Sequence, residues 1–239
     1  MAKTEQSPLA DRSTWLCVEA GRVPYREALA LQHGLVAARR SGRIPSDLVL
    51  LLDHPPVFTL GRRGGRENLL VSDAYLQRNG VEVVPVERGG NITFHGPGQL
   101  VAYTIFDLQA ARMGVTDFVF RLEEAMLRTA GDWNVFARRN PLNRGVWVGS
   151  NKMGSIGLAI RRGVTYHGLA FNVETDLTPF GWINPCGLQN VGVTSLQREA
   201  GRPVSLSEAM AAFKEHFARA LDARLTSVPP AEIESLAAA

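Results

Sequence analysis

Five consecutive large aliphatic residues, Leu48-Val-Leu-Leu-Leu52, followed at once by Asp53-His-Pro-Pro56, do more than any other segment to limit what this chain can fold into. The run is far too short to cross a bilayer, which takes about 20 apolar residues in a helix. Its length, its aliphatic content and its Pro-Pro stop predict a continuous apolar strand. Trp15 to Glu19, Val81 to Glu87, Leu100 to Leu108, Val146 to Val148, Met153 to Ile160 and Thr165 to Val173 also read as strands. Pro85 points to an edge or a bend, and Gly163 to a hairpin turn. Between them lie helical patterns. Pro24 to Arg40 has a proline opener and a basic end that suits the helix dipole. Ser72 to Asn79 is a short capped helix stopped by Gly80. Thr116 to Thr129 carries one apolar stripe, Phe118, Val119, Leu122, Ala125 and Met126, at helical spacing. Ser205 to Leu225 is a final amphipathic helix with Ser205 and Glu208 at capping-box spacing. Strands and helices mix without strict βαβ alternation. The fold class is therefore α+β, or α/β with a mixed β-sheet and helices packed on it.

The 239 residues hold no linker or repeat, which predicts one domain over 13–227 between a loose polar tail, 1–12, and a second tail, 228–239, that opens at a proline pair. With 45% hydrophobic and 21% charged residues, the chain is not a disordered one. A net charge of +3 falls short of the basic stripe of a nucleic-acid binder, but it suits an acidic protein partner. The first residues lack the apolar core of a signal peptide, so the expected place is the reducing cytoplasm, with a monomer as the default. There the two cysteines, Cys17 and Cys186, read as packing residues or nucleophiles and not as a disulfide.

Cys17 sits in an apolar periodic strand. Cys186 sits in Trp182-Ile-Asn-Pro-Cys-Gly-Leu188, where Pro185 and Gly187 exclude a regular element. The turn holds either a reactive thiol or a loop cysteine of no consequence. A free thiol has a pKa of about 8.5, so a nucleophile needs a cation or base to draw off its proton. Lysine is scarce: only Lys3, Lys152 and Lys214 occur. Lys152 opens a strand among small residues, where it is either a solvated turn lysine or a group that a bulky partner can approach. Arg88-Gly-Gly-Asn-Ile-Thr-Phe-His-Gly-Pro-Gly98, followed by Gln99, forms no predicted regular element. Its glycines let a ligand approach main-chain N–H groups. The spacing is neither a dinucleotide fingerprint nor a Walker loop. In Thr165-Tyr-His-Gly-Leu-Ala-Phe-Asn-Val173, His167 is either a structural histidine or a supporting one. His33, His54 and His216 read as surface or turn residues. No His/Cys/Asp cluster has ligand spacing, so no metal is expected.

As a set, Arg88 to Leu100, Lys152-Met-Gly-Ser-Ile-Gly157, Thr165 to Val173 and Asn184-Pro-Cys-Gly187 resemble the motifs of the lipoate-biosynthesis octanoyltransferases, in the same order and at similar spacing. Leu60-Gly-Arg-Arg-Gly64 and Glu67-Asn-Leu-Leu70 extend the resemblance, which covers roughly Trp15 to Leu225. It implies a fold like the biotin and lipoate protein ligase catalytic domain. It implies transfer of octanoyl from octanoyl-acyl-carrier protein to a lysine of lipoyl domains, those of 2-oxoacid dehydrogenases and of the glycine cleavage H protein, with no cofactor. It implies Cys186 as the acyl-thioester nucleophile and Lys152 as its partner. The implied substrate contacts are Arg88, Gly89, Gly90, Asn91, Ile92, Thr93, Phe94 and His95, then Ser155, Ile156 and Gly157, then Gly168, Leu169 and Ala170. Phe94, Ile156, Leu158 and Leu169 are the expected apolar lining for an eight-carbon chain. Met153 and Gly154 depart from the small or branched residues expected after the lysine.

Two other classes fit parts of the pattern. An ATP-dependent ligase on the same fold needs no cysteine nucleophile. A non-catalytic module binding carrier or lipoyl domains would use the arginine pairs at 39–40, 62–63, 138–139 and 161–162, but it leaves Cys186 and Lys152 unexplained.

Overall fold

The computed structural model describes residues 13–140, 143–184 and 192–238. The chain opens with β1 (Ser13–Arg22), α1 (Tyr25–Arg40), β2 (Asp47–Asp53) and β3 (Val57–Leu60). After a 3-10 turn at Arg66–Asn68 come α2 (Asp73–Arg78), β4 (Glu82–Pro85), β5 (Ile92–His95), β6 (Gln99–Ile105) and α3 (Val115–Gly131). β7 (Arg138–Arg139), β8 (Gly145–Val148), β9 (Asn151–Arg161) and β10 (Val164–Asn172) follow. A 3-10 turn at Thr178–Trp182 precedes β11 (Gly192–Val193), α4 (Leu196–Ala200), α5 (Leu206–Leu221), β12 (Ala223–Ser227) and α6 (Pro230–Ala238).

The main sheet runs β12-β1-β2-β6-β10-β9-β8-β7, with β11 added beside β9. β12, β1 and β2 are parallel, and from β2 through to β7 the neighbours are antiparallel. The sheet is therefore mixed, as the sequence predicts. β4, β3 and β5 form a smaller sheet with β4 at its edge, where Pro85 needs no ladder partner.

The apolar run in β2 is continuous because helices cover both faces of the main sheet. Val49 and Leu51 pack into one core with α3 and α5, and Leu48, Leu50 and Leu52 pack into the other beside α1. A third cluster under the small sheet joins Phe58, Ile92, Phe94, Leu76 and Ile183.

The structure departs from the sequence expectations in several places. The last predicted helix stops at Leu221, where Asp222 turns left-handed (φ 49°), and 223–227 pairs with the edge of β1 instead. Pairing with that open edge and burial of Ala223 outweigh a helix-compatible sequence. The expected tail at 228–239 contains α6, whose Ile233 is fully buried against the α1 side of the sheet. Ile92–His95, expected to be irregular, is a strand antiparallel to β3. His54 lies in the connection between β2 and β3, as a turn residue would, but it is fully buried and not at the surface. Cys17 packs in the core as expected, and burial pushes its thiol pKa up to about 11. The proposed 1–12 tail lies outside the described residues.

Candidate active site

One cavity of about 660 Å³ lies where the 88–93 segment crosses β9 and β10 and the start of α3 approaches them. That volume suits an organic ligand. Arg88, Gly89, Gly90, Asn91, Ile92, Thr93 and His95 line it, as do Ser155, Ile156, Gly157, His167, Gly168, Leu169, Ala170 and Lys152. Phe94 does not. It lies on the face of β5 opposite Thr93 and His95, because successive strand residues alternate between faces, and there it packs on Phe58 and Phe180. Leu158 lines the cavity as expected, and Met153 turns into the core, away from it.

Gly157 makes this crossing possible. A Cβ at that position would stand 3.0 Å from Arg88 Cδ and 3.1 Å from the Gly89 carbonyl oxygen. Without one, Gly89 N–H reaches the Leu158 carbonyl at 2.9 Å, tying the glycine-rich segment to the edge of β9.

Arg88 is buried, and its guanidinium is spread over neutral acceptors. Nη2 donates to Thr59 Oγ1 and to the Thr59 carbonyl, both at 2.7 Å, and Nη1 donates to the Gly89 carbonyl at 3.0 Å. Thr59 Oγ1 lies 3.4 Å from His95 Nε2. Burial, then the charge of the neighbouring groups, holds His95 well below the usual histidine range, so its ring is neutral. Gln99 Nε2 donates to the Phe94 carbonyl and to Asn172 Oδ1, so Gln99 Oε1 is the acceptor for His95 Nδ1–H at 2.7 Å. Asn172 Nδ2 in turn donates to the Thr194 carbonyl. A buried chain of oriented hydrogen bonds thus runs from Arg88 to the residue after β11, and Thr194 N–H bonds the Lys152 carbonyl at 3.0 Å.

Beside His95, Tyr25 and Tyr103 pack with His54 and His167. His54 Nδ1 donates to the Val23 carbonyl, so Nε2 accepts from the Tyr103 hydroxyl at 2.7 Å. Burial lowers the His54 pKa to about 4 and the His167 pKa to about 3. His167 has a left-handed backbone, φ 57°, inside a strand. That reversal sets its ring stacked on its own neighbour Tyr166, turned toward α1 and the cavity.

Lys152 stands at the start of β9 in the same cavity. Its Nζ donates to Asn143 Oδ1 at 2.6 Å and lies 5.4 Å from the centre of the Trp147 ring. Cys186 lies outside the described residues. The chain on either side of its segment is held. Asn184 N–H bonds the Asn68 carbonyl at 2.8 Å, and Gly192 and Val193 pair in register with Asn151 and Lys152. Among the described lining residues, Arg63, Arg88 and Arg144 supply positive charge, and no carboxylate faces the cavity.

Reading the sequence missed Tyr25, Tyr103, Asn143 and Arg144, and it noted Arg63 only in a motif and as a docking cation. Tyr25 and Tyr103 carry no local signal, since each occupies an ordinary position of a helix or strand. Gln99 and Asn172 stood inside the noted motifs, but without a role.

This fold, a mixed sheet between helices with a glycine-lined cavity at a lysine, defines a catalytic domain of the lipoate ligase type. The profile of the lipoyl protein ligase A/B catalytic domain matches residues 24–218, and the chain belongs to that family. Within it, the chain is 53% identical over 186 residues to the octanoyltransferase of Desulfotalea psychrophila, covering 77% of this chain and 83% of the relative. It is 45% identical over 201 residues to the octanoyltransferase of Caldicellulosiruptor bescii, covering 83% and 88%. Among solved structures, lipoate-protein ligase A bound with ATP superposes with a TM-score of 0.74 at 20% identity, over 95% of this chain and 93% of that one. A chain from the bi-partite lipoate protein ligase and E2 lipoyl domain study of Thermoplasma acidophilum gives 0.73 at 20% identity, over 95% and 91%. These two show the shared fold.

Proposed function

We propose that this chain is an acyltransferase that moves octanoyl from acyl-carrier protein to a lysine of lipoyl domains, through a thioester on Cys186, with Lys152 as its proton partner. The observation that carries the reading is the cavity itself. Apolar Ile92, Ile156, Leu158, Leu169 and Ala170 share it with Lys152 and with three arginines, and no carboxylate is among the described lining residues. Positive surroundings favour a thiolate. Apolar lining favours an acyl chain by about 0.8 kcal/mol per buried methylene, before ordering costs.

Lys152, as the free amine, takes the Cys186 proton. The thiolate adds to the donor carbonyl. The carrier's thiolate leaves and takes that proton back from the lysine ammonium. An octanoyl-Cys186 thioester remains. The acceptor lysine, as its neutral amine, then adds to this carbonyl. Its surplus proton passes to Lys152, the Cys186 thiolate departs, and the proton returns to sulfur. Main-chain N–H groups of the glycine-rich segments are the candidate donors to the tetrahedral oxyanion. The donor is already a thioester, so transfer to an amine needs no ATP. The acceptors on this reading are the lipoyl domains of 2-oxoacid dehydrogenases and the glycine cleavage H protein. A monomer in the cytoplasm suits them, and no described helix is long and apolar enough to cross a membrane.

Cys186→Ser tests the reading. Octanoyl transfer without ATP should be lost in this variant while binding of the carrier persists. Full ATP-independent turnover in the variant would remove Cys186 from the mechanism.

A further inference from the structure

We infer that Asn143 is a positioning residue for Lys152, holding the lysine amine in place through both of its protonation states. The inference rests on the catalytic reading of Lys152 above. Asn143 Oδ1 accepts from Nζ at 2.6 Å. Asn143 is itself fixed, because Trp147 Nε1 donates to its carbonyl at 3.0 Å and its own N–H reaches the Asn140 carbonyl at 3.3 Å. The Trp147 ring then flanks Nζ. Gly145 completes the enclosure. Its backbone is at φ 125°, and a Cβ there would stand 3.0 Å from Lys152 Cε and 2.1 Å from the Gly154 carbonyl oxygen. The lysine stem thus runs through a slot that only glycine leaves open.

The choice of amide has a chemical consequence. A carboxamide oxygen accepts an N–H from an ammonium and from a neutral amine alike, whereas a carboxylate favours the ammonium. A lysine that must take and return a proton twice per cycle keeps its place against an amide without being locked in one charge state. The charged groups around it are consistent with this. Arg144 adjoins Asn143 and is paired with Glu123 of α3 at 3.6 Å. Arg63 and Arg88 face the cavity from the segments after β3 and before β5, and the His95 and His167 rings are neutral.

The test is the pH–rate profile of octanoyl transfer in Asn143→Leu and Asn143→Asp, with folding checked by circular dichroism. Asn143→Leu should lower kcat roughly 10–100-fold with KM for the carrier nearly unchanged, the cost of a misplaced catalytic group. Asn143→Asp, nearly isosteric, should move the ascending limb of the profile about one unit or more to higher pH, because the carboxylate favours the ammonium form. Folded variants with the wild-type rate and profile overturn the inference. Should Asn143→Leu fail to fold, the Asn143→Asp profile decides. Lys152→Ala run in parallel separates the two levels. Activity in that variant sinks the catalytic reading and this inference together, while an inactive Lys152→Ala beside unaltered Asn143 variants sinks the inference alone.

Discussion

Three buried neutral histidines, His54, His95 and His167, tie the stability of this protein to pH. Their folded pKa values lie below the ordinary 6.5, at about 4 for His54 and about 3 for His167, with burial as the leading cause in all three. As pH falls below about 6.5 the unfolded chain takes up protons that the folded one refuses, so stability is lost progressively toward those lower values. His54 and His167 each contribute about 2 kcal/mol of this loss by pH 5, and His95 adds to it in the same direction. Urea unfolding should therefore show a protein several kcal/mol less stable at pH 5 than at pH 7. His54→Gln should lessen the difference by about one histidine's share, whatever it does to stability at pH 7. A flat profile between these two pH values would contradict the neutral, buried assignment. The left-handed backbone at His167, worth about 1–3 kcal/mol of strain, belongs to the same cluster. Sequence alone singled out His95 as a titratable group in a glycine-rich segment, and His167 because it and Gly168 break a strand pattern. It did not show that His54 is buried, because the residue sits in the connection between β2 and β3 and the tyrosine hydroxyl that satisfies its ring lies 49 positions away.

At the scale of elements, the crossing of the glycine-rich segment over β9 sets the shape of the cavity. Gly157→Ala should push Arg88 and Gly89 outward by a few tenths of an ångström, because its Cβ contacts fall at 3.0 and 3.1 Å. We expect kcat/KM to fall roughly 10–100-fold, with a stability loss of about 1 kcal/mol. Wild-type kinetics in this variant would mean that the segment does not shape the site. The capping box of α5 offers a contrasting control. Ser205 and Glu208 satisfy each other's backbone N–H groups far from the cavity, so Ser205→Ala should cost about 1 kcal/mol in urea unfolding and leave kinetics unchanged. That box was legible because a cap depends on residues three apart. β5 was not legible as a strand: four residues among glycines carry no period of their own and become a strand through β3, from which 31 residues separate them. The end of α5 was misplaced for the same reason, since Ala223–Ser227 pairs with β1 at the opposite end of the chain.

For the whole molecule, helices cover both faces of the mixed sheet whose strands β9 and β10 carry much of the site. α6 belongs to that cover. Ile233 packs into the core shared by α1, β2, β6 and β10, and Tyr25 at the start of α1 lines the cavity. Ile233→Ala should lower unfolding free energy by about 2–5 kcal/mol, as emptying a buried aliphatic site does. An unchanged urea midpoint would mean that α6 is not part of the cooperative unit. The mixed sheet with helices was legible from the sequence because its strands and α3 carry strong apolar patterns. The final helix was not, since Ile233 is a lone buried anchor in a segment that otherwise reads as a fraying end.

The central chemical claim is a covalent one, and intact-mass spectrometry tests it most directly. The protein is mixed with octanoyl-acyl-carrier protein in the absence of ATP and of any lipoyl domain. The account predicts a mass increase of one octanoyl group, mapped by peptide analysis to Cys186, that disappears when a lipoyl domain is added. Active protein that keeps its unmodified mass, or transfer that begins only when ATP is supplied, would contradict it.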